Sequence, residues 1–231
     1  MIKNLLFDLD DTLLDFRRGE KTAVAETMTS LGIDPTPSLL SRYSAINLAQ
    51  WKQMEQGLVT RQELKIRRFR ILFEELGIHC PPERAAKLYE MNLAEQCQTV
   101  DGAESLLERL SPVYRIYLAS NGTACVQKSR IRKSGIGVYA RDIFISELIG
   151  RDKPQKAFFD ACFSRIPDFS RSETLMIGDS LTSDIQGGKN AGIRTVWFNP
   201  SYSAREAEPV PDYEIHSLFE LEPLLLRLSG I

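Results

Sequence analysis

The chain of 231 residues has few of the residues from which disulfide frameworks and zinc sites are built. Its four cysteines are 17 to 37 residues apart in the sequence and form no CxxC pair. Its two histidines, His79 and His216, are far apart, and neither has a metal-ligand partner at helical spacing. The sequence therefore predicts neither a zinc site nor a disulfide framework, and we expect a cytoplasmic protein with reduced thiols.

The chain also lacks an excess of positive charge and a long hydrophobic run. It contains 29 basic and 31 acidic residues, whereas proteins that bind nucleic-acid polymers or membrane surfaces usually carry a basic excess or patch. No apolar run approaches the roughly 18 residues of a membrane-spanning helix, and the N-terminus does not have the pattern of a signal peptide. We expect a small-molecule partner rather than nucleic acid or a membrane, and either a monomer or a homodimer.

What the chain does contain is a regular alternation of short apolar runs and helical patterns. The apolar runs are mostly continuous, which is typical of parallel strands buried on both faces of a sheet. Six strands are predicted, at Lys3–Leu9, Arg115–Asn121, Asp142–Ile149, Thr174–Asp179, Arg194–Asn199 and Tyr213–Ile215. The alternation predicts an α/β fold with a doubly wound, Rossmann-like parallel sheet.

One region breaks the alternation, because it contains helical patterns and no convincing strand. Four helices are predicted there, at Gly19–Leu31, Pro37–Gln56, Arg61–Leu76 and Pro82–Gln96. The insertion follows the first strand, at the carboxyl end where open α/β sheets bind ligands. We therefore predict a core domain of residues 1–16 and 99–231, and an inserted helical bundle, residues 17–98, that covers the site as a cap.

Four carboxylates lie at the end of the first predicted strand and directly after it, in the stretch LLFDLDDTLLD from Leu5 to Asp15. Such a cluster of mutually repelling acids needs a metal ion or a proton to offset the repulsion. Three further polar motifs stand where other predicted strands end: LASNG at 118–122, GRDKP at 150–154 and GDSLTSD at 178–184. Because the ends of parallel strands meet at one edge of a sheet, we expect all four motifs to lie together.

The residue types in these motifs suit chemistry on a phosphate ester. Asp8 and Asp179 supply hard oxygen ligands, which suit Mg²⁺, and this ion usually bridges carboxylates to phosphate oxygens. Ser120, the backbone amides near Asn121 and the ammonium group of Lys153 are donors that suit phosphoryl oxygens. We therefore expect a Mg²⁺ cofactor and a small phosphate ester as the substrate.

The first two carboxylates of the cluster have a spacing that suits covalent catalysis. A carboxylate can attack phosphorus as a nucleophile and form an aspartyl-phosphate. A second carboxyl group can protonate the leaving oxygen and then deprotonate the attacking water. Asp8 and Asp10 lie on the same side of an extended chain, whereas Leu9 faces the other way.

The four motifs, in this order along the whole chain, resemble those of the haloacid dehalogenase superfamily. The resemblance implies that Asp8 is the nucleophile and a metal ligand. It implies that Asp10 is the general acid and base, and that the backbone carbonyl of Asp10 also binds the metal. Asp179 would be a direct metal ligand, Asp184 would hold metal-bound water or Lys153, and Ser120 and Lys153 would bind the phosphoryl group.

The resemblance also assigns residues around these motifs. The family places a helical turn and a flap after the first strand, which Leu13–Arg18 fits, and Phe16 would be the flap aromatic that offers the substrate a stacking face. In related capped enzymes the turn that matches Gly57–Arg61 dips toward the site, so Arg61 is the candidate contact to the leaving group. We expect Thr12 to orient backbone and carboxylates rather than to touch the substrate.

The acid at the position of Asp10 also distinguishes between the reactions that members of this superfamily catalyse. The dehalogenase branch lacks an acid at the matching position, so the acid favours phosphoryl transfer. A phosphonatase would need a Schiff-base lysine in the cap, and nothing marks one. The cap sequence AINLAQW at 45–51 and the stretch at 179–199 resemble the pyrimidine 5′-nucleotidase branch, which implies hydrolysis of pyrimidine 5′-(deoxy)nucleoside monophosphates.

Three other functions stay open at this point. A phosphatase of small sugar phosphates or of phosphoglycolate would carry the same motifs, and so would a phosphomutase. Some relatives have lost their chemistry and serve as binding modules, which is the remaining alternative.

Overall fold

A six-stranded parallel sheet forms the centre of the unit that comprises Met1–Asp15 and Gln98–Ile231. The computed structural model describes residues 1–204 and 209–229. Its strands are β1 (Asn4–Phe7), β2 (Arg115–Ser120), β3 (Ala140–Ile145), β4 (Thr174–Gly178), β5 (Arg194–Phe198) and β6 (Tyr213–Ile215). The strand order is β3-β2-β1-β4-β5-β6, and all neighbours are parallel. The predicted doubly wound sheet is thus confirmed, and its order reverses at β1, where ligands bind in such folds.

The second unit, Phe16–Cys97, is a helical bundle. Its helices are α1 (Phe16–Ser30), α2 (Pro37–Glu55), α3 (Arg61–Leu76) and α4 (Pro82–Leu93). The sequence sets the ends of α3 clearly: Thr60 and Glu63 form a capping box at the start, and Gly77 takes the left-handed conformation after the last turn. Tyr43, Phe69 and Tyr89 pack their rings within 6 Å of one another and form the centre of this bundle.

Further helices lie between the strands of the first unit. They are α5 (Ala103–Leu110), α6 (Ala124–Ser134), α7 (Ser146–Ile149), α8 (Lys156–Phe163), α9 (Gln186–Ala191) and α10 (Leu221–Ser229). A π-helical turn, Leu181–Ile185, precedes α9. In the part of the chain that the structure describes, every helix is too short or too polar to span a membrane.

Both faces of the sheet are covered, which explains why its strands are continuous apolar runs. Leu5 and Phe7 of β1 face a core shared with α5 and α10, whereas Leu6 faces the opposite core, which includes Phe158 and Phe159 of α8. Alternate residues of a strand point to opposite faces, so a strand between two layers of helices must be apolar throughout.

Two of the differences between predicted and observed elements lie close to the predicted site residues. The predicted strand Asp142–Ile149 is wrong in its second half, because the chain forms the helix α7 from Ser146 onward. In this helix the Glu147 carboxylate accepts a hydrogen bond from the N–H of Ala124 over 2.6 Å. The helix predicted from Gly19 begins instead at Phe16, so the last three residues of the predicted flap are helical.

Candidate active site

Three carboxylates meet where β1 and β4 end. Asp8 follows β1 directly, and its N–H donates to the carbonyl of Ile177 over 2.9 Å, which keeps it in register with β4. Asp179 follows β4, and Asp184 lies in the π-helical turn after it. One carboxylate oxygen from each of Asp8, Asp179 and Asp184 lies within 4.8 Å of the others. We call these three residues the carboxylate cluster.

Burial and mutual repulsion both act on the carboxylate cluster. Burial, together with the negative charge of Asp184, raises the pKa of Asp8 to about 8, although Lys153 opposes the shift. Burial, and then the charge of Asp8, raises the pKa of Asp179 well above its usual range. A cation beside these oxygens would favour their ionised forms. The donor set consists of hard oxygens and therefore fits Mg²⁺.

Lys153 supplies a positive charge to this cluster from the loop before α8. Its ammonium group is fully buried and donates to Asp8 Oδ1 at 2.5 Å, to Asp184 Oδ1 at 2.7 Å and to the carbonyl of Ala119 at 2.7 Å. These three acceptors match the three donors of an ammonium group. Burial alone would lower the pKa of Lys153, but Asp184 and Asp8 outweigh it and raise that pKa, so the side chain stays charged.

Asp184 is held tightly between its neighbours. Besides the bond from Lys153, it accepts a hydrogen bond from the N–H of Ser180 over 3.1 Å. A Cβ atom at Gly178 would lie 2.3 Å from Asp184 Oδ2, so only glycine leaves room for this carboxylate. The glycine of the GDSLTSD motif is therefore required for steric reasons.

Asn121 fixes the backbone of the loop that carries Lys153. Its side-chain amide donates to the Lys153 carbonyl and its amide oxygen accepts from the Lys153 N–H, each over 2.9 Å. The sequence predicts that backbone amides near Asn121 bind a phosphoryl group, and this stays a prediction. The Asn121 side chain ties the loop after β2 to the loop before α8, which places the lysine.

Ser120 and Asp10 are linked to each other through α6. The buried Ser120 hydroxyl accepts from the N–H of Gly122 over 3.0 Å and from Gln127 Nε2 over 2.8 Å. The same Gln127 Nε2 donates to Asp10 Oδ2 over 2.7 Å, and Arg130 forms an ion pair with Asp10 Oδ1. The Asp10 carboxylate is therefore held by α6 and is not one of the three in the carboxylate cluster.

Sequence reasoning missed Gln127 and Arg130. Both are fully buried polar residues, one turn apart on the same side of α6. The available signal was a pair of long polar side chains flanked by Val126 and Ile131, at positions where the inner face of the helix would otherwise be apolar. That signal becomes visible only when the buried face of the helix is known.

The remaining predicted site residues lie in two places. Thr12 is fully buried in the turn after Asp10, and its hydroxyl has no hydrogen-bond partner among the residues that the structure describes. Phe16 and Arg61 belong to the helical unit, as the first residues of α1 and α3. The Arg61 guanidinium lies over the ring of Trp51, 5.6 Å from its centroid.

Comparison with known families identifies the class of enzyme to which this site belongs. A family model described as haloacid dehalogenase-like hydrolase matches residues 2–192. The chain therefore belongs to this family of hydrolases, which confirms the resemblance seen in the four motifs.

Individual relatives are similar over almost the whole chain. The chain is 40% identical to the pyrimidine 5′-nucleotidase PynA of Streptococcus pneumoniae, over 95% of this chain and 93% of the relative. It is 31% identical to the pyrimidine 5′-nucleotidase YjjG of Escherichia coli, over 96% and 97% of the two chains. The crystal structure of the HAD-hydrolase YfnB from Bacillus subtilis, bound to magnesium, has a TM-score of 0.94 and 39% identity, and the similarity covers 97% of this chain and 98% of that one.

Proposed function

We propose that the protein is a Mg²⁺-dependent phosphatase that hydrolyses 5′-nucleoside monophosphates, with a preference for pyrimidine and deoxy forms. The observation that carries this proposal is the buried Asp8–Lys153–Asp184 arrangement, in which one ammonium group joins two carboxylates at the switch point of the sheet. The nucleotide preference rests on the similarity to PynA and YjjG, which are named for that activity.

In this proposal Asp8 is the nucleophile. Its carboxylate attacks phosphorus, the bond from phosphorus to the leaving oxygen breaks, and an aspartyl-phosphate forms. Asp10 gives its proton to the leaving oxygen in this step. Asp10 then takes a proton from the water that attacks the aspartyl-phosphate, and inorganic phosphate leaves while the Asp8 carboxylate is restored.

The phosphoryl group would be bound by hydrogen-bond donors that lie at or near the end of β2. The Ser120 oxygen accepts two hydrogen bonds, so its own hydrogen can be donated to a phosphoryl oxygen. Backbone amides near Asn121 would add further donors. The Lys153 ammonium, already next to Asp8, would stabilise the negative charge that builds up on the transferring group.

The carboxylate cluster would hold the magnesium ion. Asp8 and Asp179 would bind it through carboxylate oxygens, and Asp10 through its backbone carbonyl. Asp184 would act mainly on Lys153, because its carboxylate already accepts the hydrogen bond of that ammonium group. A bound Mg²⁺ ion would supply positive charge, which lowers the repulsion between Asp8 and the phosphoryl oxygens. Thr12 would support the turn that presents Asp10.

We also propose that the helical unit acts as the cap and selects the leaving group. Phe16 and Arg61 are the candidates for contact with the nucleoside, since an aromatic ring and a guanidinium group can both stack on a nucleobase. Phe16→Ala and Arg61→Met should therefore raise the KM for UMP while leaving the KM for phenyl phosphate nearly unchanged.

A substrate panel tests the proposed function. The panel contains UMP, dUMP, CMP, AMP, phosphoglycolate and a hexose phosphate, each measured for phosphate release with Mg²⁺ and with EDTA. We expect the highest kcat/KM for the pyrimidine nucleotides and no turnover in EDTA. Equal turnover of phosphoglycolate, hexose phosphate and UMP would contradict the proposed nucleotide preference. Turnover in EDTA would contradict the proposed Mg²⁺ requirement.

A further inference from the structure

Arg130 is among the largest fully buried side chains of the protein, and it lies against a residue of the proposed mechanism. Its Nη1 atom forms an ion pair with Asp10 Oδ1 and a hydrogen bond of 3.1 Å with Gln127 Oε1. The Asp10 side chain, in contrast, remains 29% exposed. The Asp10 carboxyl group is therefore paired with a buried cation while part of its side chain remains exposed.

Gln127 joins Asp10 to Ser120, which we propose as a phosphoryl-binding residue. Its Nε2 atom lies 2.7 Å from Asp10 Oδ2 and 2.8 Å from Ser120 Oγ, so both atoms accept from one amide group. A Cβ atom at Gly122 would lie 2.6 Å from the Gln127 side chain, so the glycine of the LASNG motif leaves the space that Gln127 fills. The distance between acid and phosphoryl donor is thus set by one side chain.

A purely structural role explains this pair poorly. A buried ion pair adds little net stability, and a well-packed apolar side chain in the same place is often as good or better. The neighbours Val126 and Ile131 are apolar and buried, so the same face of α6 could be apolar throughout. The polar atoms of Arg130 and Gln127 converge on one carboxyl group, which is the group that must meet the leaving oxygen.

We propose that Arg130 and Gln127 are positioning residues that hold the Asp10 carboxyl group at the leaving oxygen of a phosphoryl group bound at Ser120. This inference rests on the proposed function. As the bond from phosphorus to the leaving oxygen breaks, the proton passes from Asp10 to that oxygen, and the carboxylate left behind is paired with Arg130. Each carboxyl oxygen keeps a second lone pair, so the proton and the two hydrogen bonds can be present together.

A pair of aryl phosphates tests this role, because they differ mainly in how much they need an acid. Phenolate is a poor leaving group and needs a proton, whereas 2,4-dinitrophenolate leaves without one. We would measure phenol and dinitrophenolate release in a single turnover of the Mg²⁺-loaded full chain. For Arg130→Met we expect phenol release to slow by about 100-fold and dinitrophenolate release to slow by no more than about threefold.

Three variants serve as controls. Arg132→Met makes the same change at an exposed site on the same helix and should leave both rates unchanged. Arg130→Lys keeps the cation and should recover part of the loss with phenyl phosphate. In an Asp10→Asn background, Arg130→Met should add no further loss with phenyl phosphate, because the group that it positions is already gone.

The outcomes separate the two proposals. Equal slowing with both esters, or no slowing with either, would overturn the positioning role while leaving the phosphatase intact. If Arg130→Met lowers the melting temperature so far that it does not fold, Gln127→Leu is measured in its place, and the same ratio of rates decides. A wild-type enzyme that releases neither phenol nor dinitrophenolate, and no phosphate from UMP, would overturn the proposed function and the positioning role together.

Discussion

Lys153 donates a hydrogen bond to the carboxylate of Asp8 over 2.5 Å, although the two residues are 145 positions apart in the chain. The same ammonium group donates to Asp184 and to the carbonyl of Ala119 at the end of β2. One buried cation thereby joins the end of β2 to the segments that follow β1 and β4. The residues proposed for catalysis also hold the edge of the sheet together.

Replacement of Lys153 by methionine should therefore reduce stability as well as activity. Two buried carboxylates would lose their cation, and breaking a buried pair costs about 3 kcal/mol. We expect urea unfolding in EDTA to show this loss and Mg²⁺ to restore part of it, because the ion would sit beside the same carboxylates. Lys156→Met, which removes an exposed pair with Asp160, is the matched control and should change little. A Lys153→Met variant as stable as wild type in EDTA would contradict the buried pairing.

Asn121→Ala tests the link between the loop after β2 and the loop before α8. The variant loses two hydrogen bonds to the Lys153 backbone, which should cost about 2 kcal/mol in urea unfolding and lower kcat, because the lysine is no longer fixed. Asn190→Ala is the control, since Asn190 donates to the carbonyl of Pro154 from an exposed position. Equal effects of the two substitutions on stability and kcat would contradict the role of Asn121 in fixing Lys153.

Asp179 and Asp184 should differ in what they do for the metal. Asp179→Asn removes a charge from the carboxylate cluster, at a residue that accepts no hydrogen bond from Lys153 in the described structure. The Mg²⁺ concentration for half-maximal activity should therefore rise at least about tenfold. Asp184→Asn should instead lower kcat with a smaller rise, since its oxygen is held by Lys153. Titration of activity with Mg²⁺ measures both. A larger metal effect for Asp184→Asn would reverse the assignment.

The cysteines should react with thiol reagents according to their burial. Cys162 belongs to α8 and is buried in the core that also includes Ala191 of α9. Burial raises the pKa of its thiol above the usual range. Cys125 is exposed at the start of α6. We expect an aromatic disulfide reagent to modify Cys125 quickly in the folded protein and Cys162 only after unfolding, with Cys125→Ser as the control. Rapid labelling of Cys162 in the native state would contradict the packing on that face of the sheet.

The strand positions could be read from the sequence because the sheet is buried on both faces. Leu5, Leu6 and Phe7 are apolar without interruption, and the polar motif begins at Asp8, where the strand ends. Parallel pairing then brings the residues after β1 and β4 to one edge, which is a property of the topology and not of any single residue.

The contacts made by α6 and α7 could not be read in the same way. Arg130 and Gln127 are polar, and a polar residue on a helix is usually exposed, so their burial depends on where Asp10 lies after folding. The residues after Ile145 form α7 rather than a longer strand, although Leu148 and Ile149 continue the apolar pattern. Apolar runs of this length do not distinguish a strand from a short helix.

Trapping the covalent intermediate would show whether the Asp8 carboxylate attacks phosphorus. The enzyme is mixed with substrate and Mg²⁺, quenched in acid within one turnover, digested and analysed by mass spectrometry. We expect a phosphoryl group on the peptide that contains Asp8, and none in Asp8→Asn or in the absence of Mg²⁺. A phosphoryl group on another residue, or full phosphate release by Asp8→Asn, would contradict nucleophilic attack by Asp8.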